Sequence, residues 1–336
     1  MKDNPRIIIA GAGTIGCFVG GVLAHAGRDV ALLGRGAVAE RVARDGLHLS
    51  DNDGWDAHIP ASEAGMTVDP AALASADVIF VTVKSGATQE MAEGIARFAR
   101  PEAIIVSLQN GVTNAPILKE KLPGRDVRAG VVPFNVVQTG DGRFHRATSG
   151  VLIAAKGPVP IAGLFEGSCL GLEEKDGIEE LAWGKLLINL NNALNALSGI
   201  PLIEQMSDRR WRKLMAWQME EGMAALEAAG IDYQGATPIS PRWMAKLLRL
   251  PTFLFRKVAA RTFRIDPEAR SSMAEDFDRG RTTEVDALQG AVIELGQRHG
   301  VPVPIATRVR DLVKAAERRG EGSPRLSPDK VAPGRF

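Results

Sequence analysis

Two groups of residues in this sequence have types and spacings suited to chemistry. The first is Gly11-Ala-Gly13-Thr14-Ile15-Gly16, whose glycines recur at the intervals of a phosphate-cradling turn. Gly11 permits a tight turn, Gly13 lets backbone approach a pyrophosphate, and Gly16 lets a following helix lie close to a strand. The N–H groups at the start of that helix, from Thr14 and Ile15 onward, then face the phosphates with the positive end of the helix dipole. The second group is Lys185, Asn189 and Asn192, at i, i+4 and i+7 on one face of a helix. Asn191 and Asn195 share the run, so four asparagines fall within seven positions. Asparagine competes for backbone hydrogen bonds and weakens helices, so such a density needs partners. The face could be solvated, but the flanking Leu186-Leu-Ile188 and Leu197 argue for burial. A buried lysine beside amides is costly unless it binds something, and that favours a catalytic reading.

The elements needed to position these groups are legible. Residues 6–10 form a β-branched run that enters the glycines directly, residues 17–26 read as a helix stopped by Gly27, and residues 30–33 read as a second strand. That is the span of a βαβ unit. Further strands are expected at residues 77–83, 103–108, 128–134 and 151–155, with a helix at 87–100 and a hairpin near Gly140-Asp-Gly142. Near Asp176 the texture becomes helical. The expected fold is α/β: an N-terminal Rossmann-type doubly wound sheet, residues 1–175, then an all-helical C-terminal domain, residues 176–318, and a Pro/Gly-rich tail, residues 319–336.

Composition narrows the function. Lys plus Arg number 41 and Asp plus Glu 40 in 336 residues, which argues against a nucleic-acid binder working by bulk charge. Two cysteines are too few for a disulfide framework and suit a reducing compartment. The five histidines are scattered without zinc-ligand spacing, so no metal is expected. Residues 7–24 carry no charge and could be misread as a secretory signal, yet they hold five glycines, a poor composition for an apolar signal helix. No membrane association is expected, and the expected location is the cytoplasm.

Arg35 stands in Gly34-Arg35-Gly36 at the end of the second strand, with no carboxylate beside it. NAD enzymes usually place an acid there for the ribose hydroxyls; an arginine can instead fork onto a 2′-phosphate. The reading favours NADP(H), the alternative being a solvated loop arginine. Val83-Lys84-Ser85 and Gln109-Asn110-Gly111 fall at strand ends, where ligands of such sheets sit. Lys84 could be a helix-capping or surface lysine and Asn110-Gly111 a plain turn, but together they favour a site. Ser272 with Glu275 could simply be a capping box, and Glu284 could pair with Arg281. Twelve residues of continuous helix would rotate Ser272 and Glu284 about 120° apart, so the residues alone leave this pair open.

From the first strand to about Glu317 the chain resembles the ketopantoate reductase (2-dehydropantoate 2-reductase) family. The resemblance implies an NADPH-dependent reductase with a Rossmann domain and a helical second domain, possession of a small 2-oxo acid substrate, and compatibility with a homodimer. It implies that Gly11, Gly13, Thr14, Ile15, Gly16, Arg35, Lys84, Asn110 and Glu284 bind the cofactor. It makes Lys185 and Glu284 catalytic, and Asn110, Asn189, Asn192 and Ser272 substrate-binding. A further reading is a relative acting on another 2-oxo or 3-oxo acid; a third is a catalytically silent NADP-binding sensor. The chain departs from the family where a second asparagine often follows the lysine by eight residues: here that residue is Ala193. Asn192 takes that role if the helix is locally shifted. Residues 233–265 are also longer than usual and carry Arg242, Lys246, Arg249, Arg256, Lys257, Arg261 and Arg264 without an acid. Such a stretch could steer anions, lie on a partner or a membrane, or be a solvated face. Pro241 and Pro251 fragment it, which disfavours the membrane.

Overall fold

In a parallel sheet covered on both faces by helices, strands must be apolar throughout rather than alternating. Ile7–Ala10 (β1), Val30–Leu33 (β2), Val78–Val81 (β6) and, apart from its terminal serine, Ile104–Ser107 (β7) meet that condition, every residue being buried. The computed structural model describes residues 4–140, 142–235, 239–262 and 269–336, the side chains of 259–262 excepted. It divides into two units, Met1–Glu179 and Glu180–Phe336.

The first unit is built on an eight-stranded sheet. Its other strands are Met66–Thr67 (β5), Val127–Val131 (β8), Leu152–Ala155 (β11) and Leu172–Lys175 (β12). The order is β12-β11-β8-β7-β6-β1-β2-β5, parallel except where β11 meets β8. Ile7 of β1 lies between Val30 of β2 and Val78 of β6. Ile7 and Ile9 pack to one side with Phe18 and Val22 of the helix Thr14–His25 (α1). Ile8 and Ala10 pack to the other with Ala92 and Ile95 of Thr88–Phe98 (α3) and Leu118 of Asn114–Lys121 (α4). Each buried Ile, Val, Leu or Phe side chain among these contributes about 1.5–3 kcal/mol relative to exposure.

Residues 7–24 are therefore strand, turn and helix. A Cβ on Gly20 would stand 2.3 Å from Leu32 Cδ2, so α1 lies on the sheet only because glycine faces it. The helix Gly36–Asp45 (α2) follows β2. One feature went unexpected from the sequence: a second sheet, order β4-β3-β10-β9, joins Leu47–Asp51 (β3) and Asp56–Ile59 (β4) to Val136–Gly140 (β9) and Arg143–Arg146 (β10). β9 and β10 pair as the hairpin foreseen near Gly140; Asp141 lies outside the described residues. β3 and β4 alternate buried and more exposed positions, the period of a half-buried strand.

The second unit is helical: Ile178–Asn189 (α5), Asn191–Ser198 (α6), Leu202–Ser207 (α7), Arg209–Ala228 (α8), Pro241–Leu248 (α9), Thr252–Thr262 (α10), Ser272–Asp278 (α11), Ala291–His299 (α12), Pro304–Arg319 (α13) and Pro328–Val331 (α14). A π-helical turn, Asp286–Gly290, precedes α12. The Asp208 side chain caps α8 by accepting from Arg210 N. Residues after α13 pack on this unit: Leu326 N donates to Leu197 O at 2.8 Å, and Val331 is fully buried.

The basic stretch forms α9 and α10, with Pro241 opening the first and Pro251 separating the two. Its cations are partly neutralised from α8, where Glu227 pairs with Arg242 and Glu220 with Arg249. Buried Arg212 donates to Leu248 O, Leu250 O and Thr252 Oγ1 and lies over the Phe255 ring, fixing the turn between α9 and α10. Residues 263–265, including Arg264, and the Arg261 side chain lie outside the described residues. Among the described residues no helix is long and apolar enough to cross a membrane.

Candidate active site

In the first unit the loops after β2, β1, β6 and β7 stand side by side, because those strands are neighbours in the sheet. The glycine turn follows β1. Gly11 adopts φ +123°, and a Cβ there would meet Val83 N at 2.5 Å. Its carbonyl accepts from Thr82 Oγ1 at 2.6 Å. A Cβ on Gly16 would stand 2.0 Å from that same carbonyl oxygen. Gly13 differs: nothing lies within 4 Å of a Cβ built there. The first and third glycines serve the protein's own packing, and the second leaves room for something that is not protein. α1 begins there with no side-chain cap, so its leading N–H groups are available to an anion. This arrangement fits a dinucleotide pyrophosphate.

A cleft of about 550 Å³ opens beside the turn, lined by Gly11, Gly13, Arg35, Lys84 and Glu90 among others. Lys84 is exposed at its edge. Arg35 forks onto Glu90, its two terminal nitrogens lying 2.9 and 3.3 Å from the two carboxylate oxygens. Sequence reasoning missed both that partner and the network that ties the β6 and β7 loops together. Gln109 Nε2 donates to Val83 O at 2.9 Å and to Thr88 Oγ1 at 2.7 Å. Asn114 Nδ2 donates to Asn110 O at 2.6 Å and Ser85 Oγ at 3.0 Å, and its Oδ1 accepts from Thr88 Oγ1 at 2.8 Å. These amides fix the Asn110-Gly111 turn, where Gly111 has φ +88°, against the Lys84 loop. Gln109 and Asn114 are buried; the sequence signal was a polar residue just past a strand end for Gln109 and one at a helix start for Asn114.

In the second unit Lys185 is half-buried in α5. Loss of water pushes its ammonium down from 10.5 to about 8, while the negative charge of Glu284 pulls it back up. Lys185 and Glu284, ninety-nine residues apart in the chain, therefore act on one another. Glu284 sits at the entry to the π-helical turn, where Thr283 is held by Glu317 of α13 through N at 2.8 Å and Oγ1 at 2.7 Å. Gly184 has a role that sequence reasoning did not assign. A Cβ there would stand 1.6 Å from Gln234 O, so glycine admits the chain beyond α8 against α5, next to the lysine.

The four asparagines separate into two pairs. Buried Asn191 and Asn195 share Gln205, and Asn195 also takes Ile200 O and Ser271 N. Those partners account for two helix-unfriendly residues without any ligand. Asn189 and Asn192 are half-buried, whereas Ala193 is fully buried. The helix is interrupted between them at Leu190, whose carbonyl accepts from Gln289 Nε2 at 2.8 Å. Leu190 itself keeps helical backbone, φ −56° and ψ −23°, so Asn192 stays at i+7 from Lys185 while Ala193 turns inward.

One reading of the Ser272 region needs correcting. The cap of α11 is Ser271, whose side chain accepts from Ala274 N; Ser272 is the exposed first residue of the helix. The continuous helix from Ser272 to Glu284 does not exist, because α11 ends at Asp278 and the chain turns at Gly280 with φ +60°.

Comparison with known proteins follows both units. Residues 7–158 match the family described as "Ketopantoate reductase PanE/ApbA", and residues 177–317 match "Ketopantoate reductase PanE/ApbA C terminal". The curated 2-dehydropantoate 2-reductase of Halobacterium salinarum is 29% identical over 324 residues, covering 94% of this chain and 100% of that protein. The crystal structure of a PanE/ApbA family ketopantoate reductase from Ralstonia eutropha has a TM-score of 0.80 at 28% identity, covering 94% of this chain and 99% of the other. The ternary structure of D-mandelate dehydrogenase with NADH and anilino(oxo)acetate shares the fold, with a TM-score of 0.78 at 20% identity over 94% and 99% of the two chains. The chain belongs to the ketopantoate reductase family and is an oxidoreductase of that type.

Proposed function

We propose that the protein reduces a 2-oxo acid with NADPH, and that the substrate is 2-dehydropantoate, giving (R)-pantoate. The observation that carries this reading is the desolvated Lys185 ammonium coupled to Glu284. A lysine with a pKa near 8 is still mostly charged at neutral pH, yet releases its proton readily. The chemistry that bound NADPH supplies is a hydride for the carbonyl carbon. Lys185 stabilises the negative charge developing on the carbonyl oxygen and passes its proton to that atom, leaving an alcohol and a neutral amine that is reprotonated from solvent. Glu284 keeps the amine protonated and accepts a hydrogen bond from a substrate hydroxyl. Ser272 binds the substrate carboxylate, while Asn110, Asn189 and Asn192 orient the substrate through their amides. Gly11, Gly13, Thr14, Ile15 and Gly16 hold the pyrophosphate, Arg35 the 2′-phosphate, and Lys84 with Asn110 the remainder of the cofactor, to which Glu284 also contributes.

The likeness to D-mandelate dehydrogenase bound to NADH and an oxo acid supports a second reading, a different 2-oxo acid and a different nicotinamide. One experiment separates them: oxidation of NADPH and of NADH, followed by absorbance, against a panel of aliphatic and aromatic 2-oxo acids. The first reading expects the highest kcat/KM with 2-dehydropantoate and NADPH. A higher value with an arylglyoxylate would overturn the substrate assignment.

A further inference from the structure

The end of β2 offers Gly34-Arg35-Gly36 and no acid, but the fold brings a carboxylate to that place from elsewhere. Glu90, in the first turn of α3 and fifty-five residues away in the chain, meets Arg35 in a two-bond fork. Both residues line the same cleft. A guanidinium presents this geometry equally to a carboxylate or to a phosphate, so the Glu90 fork occupies the donors that a 2′-phosphate would need. The two side chains are 71% and 66% exposed, which makes the pair weak and exchangeable in water rather than a structural clamp. The charges lining the cleft are also mixed, with Arg35, Lys84 and Arg97 facing it alongside Glu90 and Glu93. A cleft selecting for phosphate by charge alone would lack those carboxylates.

We propose that Glu90 is a cofactor-selecting residue: it competes with the 2′-phosphate of NADPH for Arg35 and offers a carboxylate to the 2′-hydroxyl of NADH, narrowing the preference for NADPH. The proposal rests on the assignment of Arg35 to the 2′-phosphate. Specificity is a difference of two affinities, and Glu90 acts on both in opposite directions.

The test is the dissociation constant of each cofactor, measured by fluorescence titration at fixed ionic strength, for the parent chain, Glu90→Gln, Glu90→Ala and Arg35→Ala. Removing one exposed charge beside a phosphate should change binding about fivefold. Both Glu90 variants are therefore expected to tighten NADPH and to leave NADH unchanged or weaker, raising the ratio of the two constants about fivefold. Thermal unfolding of each variant checks that the exposed substitution leaves the fold intact. If Arg35→Ala loses NADPH selectively but neither Glu90 variant raises the ratio, the Glu90 proposal fails and the Arg35 assignment stands. If Arg35→Ala weakens both cofactors equally, both fail.

Discussion

Because Lys185 is held near pH 8 by desolvation, the rate should record its titration. If it donates the proton, kcat/KM follows the protonated fraction of the free enzyme. For a pKa of about 8 that fraction is about 0.9 at pH 7, one half at pH 8 and about 0.1 at pH 9. The profile should be nearly level near pH 7, fall about fivefold between pH 8 and pH 9, and approach a tenfold fall per unit beyond that. Glu284 raises this pKa, so Glu284→Gln should move the falling limb to lower pH, in addition to any loss of rate. Lys185→Ala should lose about 10²–10⁴-fold in kcat while NADPH still binds, with no such limb. Folding can be separated from catalysis by linkage. The folded state binds the lysine proton less tightly than the unfolded state, so this residue costs stability below pH 8, and the cost fades as pH rises from about 8 toward 10.5. Lys185→Met should thus be at least as stable as the parent at pH 7, though inactive. Stopped-flow absorbance across pH 6–10 measures the limb. A limb that persists in Lys185→Ala, or stays in place in Glu284→Gln, would refute the assignment.

Gly13→Ala should leave the melting temperature nearly unchanged but weaken cofactor binding, whereas Gly16→Ala should cost about 1–3 kcal/mol of stability, because only the latter drives a Cβ into protein; equal stabilities in urea titration would remove the distinction. Gln289→Leu strips donors from Leu190 O and Gln218 Oε1 but also removes an unpartnered Oε1, so a net loss of about 1–3 kcal/mol is expected by the same titration. The exposed pair Arg256 and Lys257 should steer anionic substrate: kcat/KM is expected to fall as salt rises, and their double replacement by Gln to flatten that dependence, whereas an unchanged slope would make them surface solvation.

The sequence carried the strands, the glycine turn and the helical second half because each is written in local period and residue type. Ile7-Ile-Ile-Ala10 has the pattern of a strand buried on both faces, and Gly11, Gly13 and Gly16, a weak signal alone, gain their meaning from standing between that strand and a helix. The β3–β4 hairpin was missed although Leu47–Asp51 alternates cleanly, since five residues of alternation directly after a helix weigh little in a helix-and-strand rhythm.

The site was less legible, and the asparagines of α5 and α6 explain why. Helical spacing identified Lys185, Asn189 and Asn192 as sharing a face, but period alone says nothing about what lies opposite. Asn191 and Asn195 carried the same cost of helix-unfriendly amides, yet Gln205 and Ser271 answer it inside the core. Arg35 presents the same problem in reverse: no acid stands beside it in sequence, and one meets it from α3. Nothing beside Gly184 in the sequence points to Gln234, whose carbonyl oxygen lies where a Cβ would be. In each case the deciding partner lies ten or more residues away, and a residue's chemistry depends on whether such a partner has already taken its hydrogen bonds or charge. Lys185 is the instance with most consequence: its partner Glu284 opposes the fall in pKa without cancelling it, and a lysine poised in that way can both hold charge on an oxygen and give up a proton.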